Sequence, residues 1–136
     1  MAYSNIRSGL YQSYVNTGLG ITTSYPNAKD FNKPTNTAWA HVDILSAGSR
    51  PVTLGTSGED EHRGILRIQL NYPTGSGEYA AFLASDTLRA FYKAGNNIIY
   101  SGTVVTYTSV SILTPELVDG WYRLTVQVRW RAQFTR

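Results

Sequence analysis

The stretch Trp121 to Ala132 alternates so strictly that one secondary structure accounts for it. Tyr122, Leu124, Val126, Val128 and Trp130 fall on one parity, while Trp121, Arg123, Thr125, Gln127, Arg129 and Arg131 fall on the other. Side chains along a strand point to opposite faces in turn, so this is a strand with an apolar face and an arginine-bearing face. Arg63 to Tyr72 repeats the pattern, with Leu66, Ile68, Leu70 and Tyr72 opposed to Arg63, Ile65, Arg67, Gln69 and Asn71. Such alternation describes half-buried antiparallel strands.

Trp39 to Leu45 is a third strand, with Ala40, Val42 and Ile44 on one side and Trp39, His41, Asp43 and Leu45 on the other. Asn97 to Tyr100 and the Thr- and Val-rich Thr103 to Leu113 add two more. Thr114 to Gly120, with Pro115 and Asp119-Gly120, reads as a turn. Two segments carry helical spacing instead. In the first, Ser4 is the candidate N-cap, Ile6, Leu10 and Tyr14 recur every four residues, Tyr3 and Val15 flank them, and Gly18 and Gly20 stop the helix. The second runs from Glu78 to about Lys93, with Ser76 as candidate N-cap. Its apolar side is Tyr79, Phe82, Leu83, Leu88, Phe91 and Tyr92, and Gly95 to Asn97 end it. Thr22 to Thr37 is a connector with a short edge strand near Ile21 to Tyr25.

The element order predicts an α+β domain, a mainly antiparallel β-sheet flanked by two helices. Ser46 to His62 is too long for a tight turn. It holds Gly48, Pro51, Gly55 and Gly58, and Val52, Thr53 and Leu54 are expected to extend the strands into a long projecting β-hairpin. At 136 residues the chain is expected to be a single domain, residues 1–136.

The composition excludes several chemistries. There are no cysteines, so disulfides, thiolate zinc sites and cysteine nucleophiles are out. No stretch approaches the ~18–20 apolar residues that span a bilayer, and MAYSNIRSGLYQ lacks the apolar core of a signal peptide, so folding in a cytoplasm is expected. The net charge of +3 is mild, and the basic residues are spread rather than clustered. Only 15% of residues are charged, while there are ten Tyr and three Trp. That aromatic content fits either a β-rich core or an interface.

The residues offer little catalytic chemistry. Glu59-Asp60-Glu61-His62 is consecutive, so its side chains diverge rather than converge on a metal, and a solvated loop is the expectation. His41 and Asp43 share a strand face and are expected to form a hydrogen-bonded pair. No nucleophile elbow, Walker loop or dinucleotide fingerprint is present. Pro73-Thr-Gly-Ser-Gly77 precedes a helix, where an anion can bind, but no lysine follows. Neither an enzyme nor a cofactor site is expected. Two surfaces remain: Arg123, Arg129 and Arg131 with Arg136 on the last strand, and Glu59, Asp60 and Glu61 in the hairpin. Ordinary solvation explains both. The alternative is a head-to-tail contact in which the acidic loop of one subunit meets the basic face of the next.

Several strings, in order, carry a resemblance. They are Ile6, Arg7 and Leu10; Pro51-Val-Thr-Leu-Gly55; His62-Arg-Gly-Ile65 leading into Gln69-Leu-Asn-Tyr-Pro73; Gly75 and Gly77; and Asp119-Gly-Trp-Tyr-Arg123 with Val126 and Trp130-Arg131. Together they resemble the tail terminator (tail completion) proteins of long-tailed bacteriophages. That resemblance implies a homohexameric ring in the virion, at the head-proximal end of the tail, made in the host cytoplasm. The ring would cap the tail tube and dock the head-completion, or stopper, protein, with DNA passing through only as cargo and no membrane partner. By the same resemblance, the subunit or tube interface would include Arg50, Val52, Leu54, Glu59, Asp60, Glu61 and Arg63 in the hairpin and Arg123, Arg129 and Arg131 in the last strand, whose arginine face would be either a subunit interface or a lining near the DNA path. Other readings are another head–tail connector, a tail tube subunit, or a small basic nucleic-acid-binding module.

Overall fold

The computed structural model describes residues 2–27, 31–75 and 77–135. In chain order its elements are α1 (Ala2–Asn16), β1 (Thr22–Ser24), β2 (Trp39–Pro51), β3 (Glu59–Pro73), α2 (Tyr79–Phe91), β4 (Asn97–Tyr100), β5 (Thr103–Ile112), β6 (Glu116–Val118) and β7 (Trp121–Thr135). The strands form one sheet in the order β1-β2-β3-β7-β5-β4, with β6 also paired to β7. Among the described residues only β1 runs parallel to its neighbour. The fold is α+β with the sheet dominant, as the alternation predicts.

The two strands with the cleanest alternation occupy the centre of the sheet. β3 and β7 pair over their whole length, from Glu59 opposite Thr135 to Pro73 opposite Trp121. Their apolar parity is buried: Leu66, Ile68, Leu70, Leu124, Val126 and Val128 are all inaccessible to solvent. Ala40 and Val42 of β2 join them, and Ile6 and Leu10 of α1 cover the face from above. Each such aliphatic side chain contributes about 1.5–3 kcal/mol on leaving water.

The sheet curls around α1. The Tyr14 hydroxyl lies 2.9 Å from Thr23 Oγ1 in β1, at one edge. At the other edge, a Cβ on Gly9 would stand 3.0 Å from the Cβ of Tyr100 in β4, so the missing side chain sets how closely helix and strand approach. The helix begins at Ala2, which places Ser4 inside it rather than at its cap.

The second helix departs from its expected face at two residues, and small side chains join the buried side. Ala81, Ala84, Ser85 and Leu88 are buried, whereas Tyr79 is 79% and Leu83 53% exposed. Small residues let this helix lie close to the sheet, with Leu88 and the C-cap Tyr92 buried and Phe82 and Phe91 packed against the core. Its N-cap is Glu78, with no side-chain capping bond; Ser76 lies outside the described residues. The Glu78 carboxylate instead accepts a hydrogen bond from the Tyr122 hydroxyl at 2.8 Å.

Two further segments differ from expectation. The stretch 114–120 is not only a turn. Its Glu116–Val118 forms β6, which folds onto β7 through Asp119 (φ 51°) and Gly120 (φ 81°), the left-handed pair that a two-residue hairpin requires. In the projecting hairpin the ladder continues to Pro51 opposite Asp60. Val52, Thr53 and Leu54 therefore form its tip, closed by Val52 N–H donating to the Glu59 carbonyl at 2.8 Å. No helix among the described residues is long and apolar enough to cross a membrane.

Candidate assembly surface

The sheet face turned away from the helices holds the charged chemistry. On β3 it carries Glu59, Glu61, Arg63 and Arg67, and on β7 it carries Arg123, Gln127, Arg129 and Arg131. β2 joins this face through a register shift between Ser46 and Gly48, which sets Gly48 opposite Arg63 and Arg50 opposite Glu61. A bulge adds one residue, and one residue flips every later side chain to the other face. Without it Arg50 would point to the helix side.

Glu59, Asp60 and Glu61 do not form a solvated loop. They lie in β3, paired to Thr135, Phe134 and Gln133 of β7. Strand alternation splits the triplet, placing Asp60 on the opposite side from its neighbours. Glu61 is 3% exposed. Its carboxylate accepts a short hydrogen bond from Arg63 Nε and lies 3.6 Å from Arg50 Nε. The Arg63 bond, helped by the charges of Arg63, Arg50 and Arg131, holds the Glu61 carboxyl below the usual carboxylate range despite its burial. The arginine heads stay open: side-chain exposure is 68% for Arg50 and 57% for Arg63, and Arg129 and Arg131 are exposed.

The predicted residues Arg50, Glu61, Arg63 and Arg131 therefore meet, with Arg129 on the same face opposite Ile65 and Ser109. Arg63 stands directly opposite Arg131, which in turn stands opposite Thr106 of β5. Shallow depressions of about 400 Å³ and 330 Å³ lie on either side of Arg131. Arg123 is not part of this group; its Nε donates to Asn71 Oδ1 at 2.8 Å, near the far end of β7. Arg136 lies outside the described residues. The hairpin residues Val52 and Leu54 are at the tip, where Leu54 is 92% exposed.

Arg67 was not singled out by the sequence, yet it forms the best ion pair on this face. Its Nε and Nη2 reach Asp43 Oδ1 and Oδ2 at 2.9 and 2.5 Å, a bidentate fork that raises the arginine further above its usual value. Asp43 is thus not paired with His41, whose Nδ1 lies 3.2 Å from Ser24 Oγ in β1. A cross-strand Asp and Arg two residues from the expected His was the available signal. His62 lies on the helix side of the hairpin, stacked on Phe134 at 4.6 Å with Tyr3 edge-on at 5.3 Å. Among the described residues no group of three or more His, Asp or Glu is placed to hold a metal.

Comparison with known proteins adds to this geometry. A family model described as phage tail terminator protein matches residues 7–130. No curated protein sequence matches the chain. One solved structure, known only by a sequence label, superposes with a TM-score of 0.77 at 18% identity, over 98% of this chain and 97% of its own. A second, the virion of a native gene transfer agent (GTA) particle, gives a TM-score of 0.52 at 10% identity, over 99% and 98%. At such identities the likeness to both is one of fold.

Proposed function

The chain belongs to the phage tail terminator family, and from that premise we propose that it closes into a ring that caps the tail tube. It is a structural protein of a virion tail and works by assembly with other phage proteins. The ring is a homohexamer at the head-proximal end, one side seated on the last tube layer and the other offered to the head-completion protein. DNA passes through it as cargo. No chemical step is assigned to the chain.

The hairpin carries this reading. β2 and β3 run on past the helix-covered core, and their tip leaves Leu54 almost wholly in solvent. Val52, 47% exposed, adds to Leu54 a small apolar surface at the tip for a neighbouring subunit to cover. If each tip docks on a different patch of its neighbour, the contact is heterologous, and such contacts close into rings. Arg50, Val52, Leu54, Glu59 and Arg63 lie along this arm, and Arg129 and Arg131 lie beside its base. Glu61 acts within its own subunit, fixing the arginines rather than meeting a neighbour.

Electron microscopy of the purified protein tests the proposal. Uniform single rings are expected, and Leu54→Asp should yield folded protomers without rings. Long open tubes would identify a tube subunit instead, and monomers at every concentration would contradict ring closure.

A further inference from the structure

We propose that subunits join edge to edge through their sheets, β4 of one copy adding in parallel to the open edge of β2 in the next. This rests on the ring reading above and names the two surfaces that meet. An open sheet has two edges, and the outward N–H and C=O groups of each invite another strand. Among the described residues, β1 covers the edge of β2 only from Trp39 to His41, and β4 pairs with β5 alone.

The two edges match in direction. Four antiparallel steps, from β2 through β3, β7 and β5 to β4, leave β4 running parallel to β2. Rotation about an axis along the strands preserves that direction, so a neighbour's β4 arrives parallel to β2. β1 is itself a parallel strand on this edge, and it ends at Ser24, opposite His41. The neighbour's strand continues where β1 stops. Two β4 strands paired about a two-fold axis would instead close a dimer and leave β2 open. Only β4 on β2 uses both edges and repeats around a ring.

The edges also match in side chains. On the face turned from the helices, β2 presents Leu45, 42% exposed, and β4 presents Ile99, 64% exposed, beside its cross-strand partner Val104. The other parity carries Ile44 at one edge and Ile98 at the other, both in or against the core. Setting Ile99 beside Leu45 therefore sets Ile98 beside Ile44, so aliphatic side chains meet on both faces. In that register Asn97 starts at Asp43, two residues beyond the position where β1 ends. Asn97–Tyr100 has neither charge nor proline, the devices that keep an edge from pairing. On β2 the register shift after Ser46 and Pro51 both lie beyond the paired segment.

Cysteine crosslinking is the test, because the chain has no cysteine of its own. Within one subunit Leu45 and Ile99 lie four strands apart in the sheet. Across the proposed contact their strands are adjacent, about 4.8 Å apart, which a disulfide spans. Mild oxidation of L45C/I99C should give a ladder of covalent multimers on a non-reducing gel, reversed by reductant. Each single variant should stay monomeric, and an equal mixture of the two should give dimers. Rings seen by electron microscopy with no crosslinking above the single variants would overturn the proposal while the ring stands. Dimers of I99C alone would show β4 paired with β4 and overturn it as well. If the double variant fails to fold, I99K should keep the wild-type circular dichroism and lose its rings; rings retained would overturn the proposal. A covalent ladder from open filaments would uphold the edge contact and sink the closed ring, and uncrosslinked monomers would sink both.

Discussion

Gly64 lies against the indole of Trp130, its cross-strand partner, so closely that no side chain fits between them. A Cβ on Gly64 would stand 2.5 Å from Trp130 Cζ2 and 2.5 Å from the Leu45 carbonyl oxygen. Trp130 is only 2% exposed, and the bare backbone of β3 is part of what covers it. The contact lies where the helix-covered sheet gives way to the hairpin: Gly64 pairs with Ser46, where the register of β2 shifts.

Gly64→Ala should therefore destabilise the fold, because a backbone oxygen and a buried ring must both move. Overpacking of this kind costs about 1–3 kcal/mol. Urea denaturation should show a lower midpoint, and an unchanged midpoint would mean that the strands separate freely at this position.

A buried polar contact joins α1 to the C-cap of α2. Ser13 Oγ donates to the Leu10 carbonyl at 2.6 Å, which leaves it to accept from the Tyr92 hydroxyl at 2.9 Å. Both side chains are inaccessible to solvent, and burial pushes the Tyr92 phenol far above its usual value. Ser13→Ala strands the Tyr92 donor and should cost about 1–3 kcal/mol. Tyr92→Phe leaves Ser13 still donating to its own helix and should cost less, about 0.5–1.5 kcal/mol. Equal losses, or the reverse order, would show that the hydroxyl pair is not oriented this way.

Acid should weaken the hairpin in two separate windows. Burial against Phe134 lowers the His62 pKa below its ordinary 6.5, with Asp60 opposing. Above that value both folded and unfolded chains keep the ring neutral, and stability is flat. Below it the unfolded chain takes up the proton first, so stability falls with pH until the folded pKa is reached. Glu61 acts lower down. Arg63 holds its carboxyl beneath the ordinary 4.5, so its contribution is present above that value and lost as pH falls through the folded pKa. Denaturation midpoints followed from pH 7.5 to 3 should lose the upper slope in His62→Gln and the lower one in Glu61→Gln. A wild-type slope between pH 7 and 5.5 that survives His62→Gln would place the titrating group elsewhere.

The central strands were legible because Leu66, Ile68 and Leu70, or Leu124, Val126 and Val128, alternate with polar residues on a sheet covered on one side only. α2 was found, and Leu88 and Tyr92 of its expected face are buried with Phe82 and Phe91 packed against the core, but Tyr79 and Leu83 do not belong to that face. Hydrophobic pattern weighs large side chains, and here Ala81, Ala84 and Ser85 share the packing while Tyr79 and Leu83 face water. β6 has three residues, too few for any period to show, and it follows a proline. The acidic run Glu59 to Glu61 looks like a loop because nothing local favours a strand. Pairing with β2 on one side and β7 on the other overrides that propensity. For the candidate surface, the arginines were visible one by one. Their meeting depends on the cross-strand register and on the shift between Ser46 and Gly48, which no residue pattern in β2 announces.

The most direct measurement is the length of tail tubes assembled from the tube subunit with and without this protein. The account predicts that added protein stops elongation and is seen by electron microscopy as a single ring at one tube end. Tubes that grow equally long in its presence, with no ring at either end, would contradict it.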